Sequence, residues 1–189
     1  MHCSFLILHA FERQILLVPH PEGFSLPRWT LPATWAGRPT HEHQRALLLN
    51  QAVHEQFGLA TAVLLITSLN GERLVIFDTL HLSDLPPLTG RWVSPEELAS
   101  LPFAEPGQRA LLEAWFVEEE KVRDWRMPWQ RRGWFVATAA WIASQLDQQG
   151  WSLQTPVEQL YTKYGACMLR ASTTIGARRL QPHEYSRAR

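Results

Sequence analysis

Cysteine is scarce in this chain of 189 residues: Cys3 and Cys167 stand alone and far apart. That spacing excludes a cysteine metal motif and gives no basis for a disulfide framework. It predicts two reduced, buried or half-buried thiols. Long apolar runs are missing too. No stretch reaches the ~20 residues that span a bilayer, so no membrane partner is expected. Met1-His2-Cys3 lacks a basic start, and Phe5 to Leu8 is too short for the apolar core of a secretory leader. A cytoplasmic protein is expected. Neither sign of charge prevails, with 18 Lys and Arg against 18 Asp and Glu. Bulk electrostatics therefore steers no nucleic acid here, and none is expected as a partner. Charge as a whole is sparse at 19%, against 46% hydrophobic residues. That balance excludes disorder and predicts a packed core.

What the chain has in plenty is tryptophan, nine residues of it. A large apolar face with one polar handle suits surface anchoring or contacts between domains. The length admits one domain of ordinary size plus an appendage.

The pattern along the chain predicts a mixed α+β layer fold. Ser4 to Ala10 and Gln14 to Val18 read as two strands around a tight turn at Phe11-Glu12-Arg13. Pro19 to Pro27 holds three prolines and a glycine and reads as a loop. Thr40 to Phe57 reads as a helix, with Thr40 as N-cap, Ala46, Leu47, Asn50, Val53 and Phe57 at helical spacing, and Gly58 as its stop. Ala62 to Leu69 and Arg73 to Leu82 read as a hairpin about Asn70-Gly71. Arg91 to Val93 reads as a short strand. Ser94 then caps a helix opened by Pro95, Glu96 and Glu97. Gln108 to about Arg123 and Val136 to Leu146 read as further helices. The tail from Gly176 to Arg189 has no apolar period and is expected to fray.

The segment from Gly37 to Leu59 carries the chemistry. Residues three and four apart share a helix face, so positions 52, 55 and 56 would aim together at one bound ion. Mg²⁺ takes hard oxygen ligands in near-octahedral array and activates water or polarises a phosphoryl oxygen. Here the three positions hold Ala52, Glu55 and Gln56. Ala52 offers no ligand, Gln56 a neutral amide oxygen, and Glu55 the one negative charge.

This stretch resembles the box of a Nudix pyrophosphohydrolase: Gly, five residues, Glu, seven residues, then Arg-Glu-aliphatic-x-Glu-Glu-x-Gly-aliphatic. The chain keeps Gly37, Gly58, Val53, Glu55 and Leu59 and places His43, Gln51, Ala52 and Gln56 where Glu, Arg, Glu and Glu belong. Trp29-Thr30-Leu31-Pro32 before the box and Arg91 to Leu98 after the hairpin also resemble that family, while Ala33 to Ala36 replaces its glycine-rich approach. The resemblance covers residues 1–124. It implies a Nudix-like mixed β-sheet with flanking helices, and Mg²⁺ as cofactor if the domain is active.

Residues 125–150 read as linker and helix. Residues 151–189 resemble the truncated opening of an aminoglycoside-phosphotransferase-like domain, on Pro128 to Phe135, the following helix, Pro156 to Leu160 and Cys167 to Arg170. A kinase needs a phosphate-binding Lys, a catalytic Asp and a metal-binding Asp. No Lys follows Lys163 and no Asp follows Asp147, so this segment cannot run that chemistry.

Glu55 is thus the candidate catalytic residue and metal ligand, against the plainer reading of a solvated helix acid. Arg28, Trp29, Trp35, Gln51 and Gln56 are candidate ligand contacts: Arg for phosphate, Trp for stacking on a base, the amides for polar contacts. The plainer readings are core packing for Trp29, loop packing for Trp35 and surface amides. His41 and His43, two apart, share no helix face, and His43 and His54 stand about three turns apart, so no single metal site collects all three. The favoured expectation is a domain with impaired hydrolysis that senses a nucleotide-like small molecule or acts as a scaffold beside a phosphotransferase domain. The alternative is a divergent Mg²⁺-dependent hydrolase of a nucleoside-diphosphate-linked compound, recruiting Glu42, Asp78 or Glu105 to stand beside Glu55. A third reading makes the Trp-rich C-terminal segment a docking surface.

Overall fold

In the computed structural model, residues 2–30, 42–69, 71–80, 89–121, 126–163, 165–174 and 176–180 are described. Alternating apolar residues build ten strands: β1 His2–Leu8, β2 Ile15–His20, β3 Gly23–Ser25, β4 Arg28–Thr30, β5 Thr61–Leu69, β6 Glu72–Thr79, β7 Arg91–Val93, β8 Glu158–Lys163, β9 Ala166–Thr173 and β10 Gly176–Leu180. Four α-helices complete the described chain: α1 Glu42–Phe57, α2 Pro95–Leu98, α3 Pro106–Lys121 and α4 Trp134–Asp147. The fold is the expected α+β class, a mixed sheet with flanking helices and a small C-terminal extension.

The main sheet runs β3-β2-β1-β6-β5, with β4 added beside β1 and β7 beside β2. β1 and β6 are parallel, from Ser4↔Leu74 to Leu8↔Asp78; the other pairs are antiparallel. Period-2 alternation gives each central strand two different faces. Cys3, Phe5 and Ile7 of β1 and Val75 and Phe77 of β6 pack with Ala46, Leu49, Ala52, Val53 and Phe57 of α1. The intervening residues, Leu6 and Leu8 of β1 and Leu74 and Ile76 of β6, face the opposite core, with Leu112, Trp115 and Phe116 of α3 and Phe135, Ile142 and Leu146 of α4. Those two faces decide where the described candidates on the strands end up.

The C-terminal strands form a separate antiparallel sheet in the order β10-β9-β8. Val157, Cys167, Leu169 and Ala171 join the α3/α4 core. Gln159 makes the junction. It is buried, and its side chain docks on the outer edge of β5. Its Nε2 donates to the Val63 carbonyl at 2.7 Å, and its Oε1 accepts the Val63 N–H at 2.7 Å. One carboxamide thus stands in for a neighbouring strand, at a bulge between Val63 and Leu65, and satisfies backbone groups that burial would otherwise orphan.

Three expectations need correction. Pro19 to Pro27 is not all loop: β2 continues to His20, and Gly23, at φ +139, turns the chain into β3. β6 ends at Thr79, short of Leu82. The segment Gly176–Leu180 pairs in register with β9 from Thr173 to Leu169, so backbone pairing orders what the side-chain pattern did not announce. Thr40, His41 and residues 181–189 lie outside the described residues. Ser94 is the N-cap of α2, and the Glu97 carboxylate accepts its N–H at 2.9 Å.

Both thiols are buried. Burial pushes the Cys167 thiol up to about 12 and raises Cys3 as well, which keeps both protonated and unreactive.

Candidate functional site

Helix α1 forms because Ala46, Leu49, Ala52, Val53 and Phe57 lay one stripe on the sheet, and Gly58, at φ +72, stops it. This packing separates the three positions that the box pattern groups. Ala52 is turned into the core. Glu55 and Gln56 stay on the exposed side. The Glu55 carboxylate accepts a hydrogen bond from Gln51 Nε2 at 2.7 Å, an i,i+4 contact along the exposed surface. Gln51 and Glu55 are therefore brought together, but by each other.

Arg28 and Trp29 are neighbours on β4, so alternation sends them to opposite faces. Trp29 packs against the α1 core, its ring 5.9 Å from Phe5, and its carbonyl accepts the Cys3 thiol at 3.6 Å. Arg28 points the other way. It pairs with Glu105 at 2.5 Å, at the start of α3, and lies 3.8 Å from Glu72 of β6. Ser4 donates to the same Glu72 carboxylate. Glu105 also accepts from Gln108 at 3.3 Å, and buried Gln108 accepts the Leu26 N–H at 2.9 Å. Arg28 thus serves a polar seam across β1, β4, β6 and α3. The sheet divides the candidate contacts: Trp29 shares a face with α1, and Arg28 does not. Trp35, Gly37 and the side chain of His43 lie outside the described residues.

The two carboxylates offered as recruits for Glu55 do not reach it. Glu105 is committed to Arg28. Asp78 leaves β6 on the same face as Leu74 and Ile76, opposite α1. The side chain of Glu42 is outside the described residues. Among the described residues, no group of three or more His, Cys, Asp or Glu gathers to hold a metal. The donor set at positions 51, 52, 55 and 56 is one exposed carboxylate and two amides, beside a buried alanine. That set does not fit Mg²⁺, which requires several hard oxygens around one centre.

No protein-family model and no curated protein matches this chain. Solved structures similar to it include a protein of Sinorhizobium meliloti 1021 described as an oxidoreductase, at 23% identity and TM-score 0.45 over 64% of this chain. This chain spans 39% of that protein's length. A MutT structure from a study of Aliivibrio salmonicida and Vibrio cholerae is 14% identical, with TM-score 0.41, over 62% of this chain and 96% of MutT. RenU, a Nudix hydrolase from M. smegmatis, is 18% identical, with TM-score 0.32, over 67% of this chain and 87% of RenU. Likeness at this level concerns the fold alone.

The most heavily bonded polar group among the described residues lies elsewhere, and the sequence pattern did not single it out. Arg132, just before α4, forms a bidentate pair with Glu119 of α3, both bonds at 2.9 Å. Its Nη1 also donates to the carbonyls of His9, Glu12 and Gln14, each at 2.9 Å. One guanidinium therefore holds the β1–β2 turn against α3 and α4. Next to it, Asp78 is fully buried. Its Oδ2 accepts the Gly133 N–H at 2.7 Å, while its Oδ1 has no hydrogen-bond partner among the described residues. Burial outweighs that bond and the nearby Arg132 charge, and pushes the carboxyl up to about 7. His9, edge-on to Trp92 at 5.1 Å, is held below the usual histidine range, again chiefly by burial. An Asp at the end of an otherwise apolar strand, Leu74 to Phe77, was the available signal.

Proposed function

We propose that this chain is a Nudix-like module with impaired hydrolysis that senses or holds a nucleotide-like small molecule and works beside a phosphotransferase domain in the cytoplasm. The observation that carries the reading is the split of three box positions. Ala52 is inside the core, while Glu55 is outside and bonded to Gln51. A dication held against water by one exposed carboxylate is held weakly, because exposed ion pairs yield only ~0–1 kcal/mol. Water activation then has no fixed metal to work from.

The test is Mg²⁺-dependent release of phosphate or nucleoside monophosphate from a panel of nucleoside-diphosphate derivatives, with binding followed by calorimetry on the same panel. Binding without turnover is the expected result. Robust turnover that Glu55→Gln abolishes overturns the proposal and establishes the divergent hydrolase instead.

A further inference from the structure

The two edges of the main sheet are finished differently. At one edge, β3 is three residues long, and both backbone groups of Phe24 are taken. Its N–H donates to the Pro102 carbonyl at 2.9 Å, and its carbonyl accepts the Ala104 N–H at 3.0 Å. At the other edge, β5 is nine residues long and last in the strand order. The Gln159 carboxamide takes the outer backbone groups of Val63. Among the described residues no other group bonds the outer edge of β5, so the stretch from Leu65 to Leu69 is open there. Edge strands are usually blunted by brevity, charge or proline. Thr61–Leu69 holds no charged residue, no proline and no glycine.

An apolar shoulder stands beside this edge. Ile66 is the cross-strand partner of Val75, so both point to the α1 face of the sheet. Val75 is buried there, while Ile66 is 39% exposed. Asn50 of α1 accepts a hydrogen bond from Thr61 of β5 at 3.4 Å, which sets that side of the helix beside β5. Leu47 lies one turn earlier on the same side of α1 and is 54% exposed.

We propose that this edge is a self-association surface: β5 pairs antiparallel with β5 of a second copy over Leu65 to Leu69, and Ile66 and Leu47 of both copies close over the join. A strand paired antiparallel with its own copy makes a two-fold contact, and each copy offers the other the same spacing of donors and acceptors. A two-fold axis perpendicular to the sheet keeps both α1 helices on one face, so each Leu47 flanks the join. An uncharged strand meets its like without repulsion, which is the electrostatic condition of a homotypic pair. The Gln159 side chain limits the pairing, because it already fills the edge at Val63. So short a join predicts a reversible dimer.

The experiment is sedimentation velocity of the full chain from about 1 µM to about 500 µM, with amide hydrogen exchange read at both ends of that range. The expected result is a monomer–dimer equilibrium. Exchange within residues 65–69 slows at the high concentration, and exchange of the Phe24 amide does not change. Ile66→Lys, a charge set at the join on an exposed site, is expected to weaken dimerisation roughly tenfold or more. Leu47→Lys is the second variant; it lies on the helix surface, clear of strand packing, and is expected to act in the same direction. A chain that stays monomeric throughout overturns the proposal, as does a dimer that both variants leave intact. Amides in residues 65–69 that exchange equally slowly at both concentrations also overturn it, since the chain then covers its own edge.

Discussion

Glu55 and Asp78 stand on the two elements that flank β5, one at the end of α1 and one at the end of β6, yet they meet opposite physical fates. Glu55 is exposed, and its carboxylate rests against the Gln51 amide of its own helix. Asp78 is sealed beneath α4, with one oxygen bonded and one bare. A motif draws the eye to the first, while nothing in the local pattern draws it to the second. The difference lies in desolvation. In water a carboxylate is well served wherever it stands; inside, each missing partner costs about 1–3 kcal/mol. Weight in this molecule therefore falls on the buried polar junctions and not on exposed Glu55.

The strongest way to break that contrast is to remove Arg132. Arg132→Ala leaves the little-exposed Glu119 unpaired and three carbonyls unserved, and a loss of about 3–5 kcal/mol is expected in urea unfolding. A loss under 1 kcal/mol would show that solvent already serves the junction. Gln159→Ala strips both Val63 backbone groups of their partner at the β5 edge, with about 2–4 kcal/mol expected by the same measurement.

The Asp78 contrast sharpens with pH. Its folded value is raised, so the stability it contributes is complete below about pH 4 and is lost as pH rises through about 7. Between pH 5 and pH 8 this one group should remove about 2–3 kcal/mol, a slope absent from Asp78→Asn. A natural protein equally stable at both values would place the carboxyl in a wetter setting. The smallest effect belongs to Glu55→Gln, expected to change stability by less than about 0.5 kcal/mol. A larger loss would mean that α1 depends on this carboxylate beyond its Gln51 contact.

Much of the fold was legible because hydrophobic period and turn chemistry are local. Helix α1, the β5–β6 hairpin, β7 and capped α2 all stand close to where alternation, Gly58 and Ser94-Pro95 put them. β3 and β10 were not legible, since short strands owe their existence to a partner: Val18↔Ser25 for the one, Ser172↔Ala177 for the other. At the candidate site the helix was readable, but the direction of its side chains was not. Helical spacing groups positions 52, 55 and 56, and the sheet then takes Ala52 and leaves the other two outside. Likewise, sequence proximity groups Arg28 with Trp29, and the pleat parts them.

The chain alone determined its α+β class, its neutral, cysteine-poor chemistry and the single acid among positions 52, 55 and 56, because these depend on residue identity and short-range spacing. Which face of the sheet each side chain serves was decided only by the tertiary fold. So were the capture of the β5 edge by Gln159 and the burial of Asp78 beneath Gly133. The reason is physical: a desolvation cost exists only once distant segments close over a group, and the partners that relieve it lie dozens of residues away.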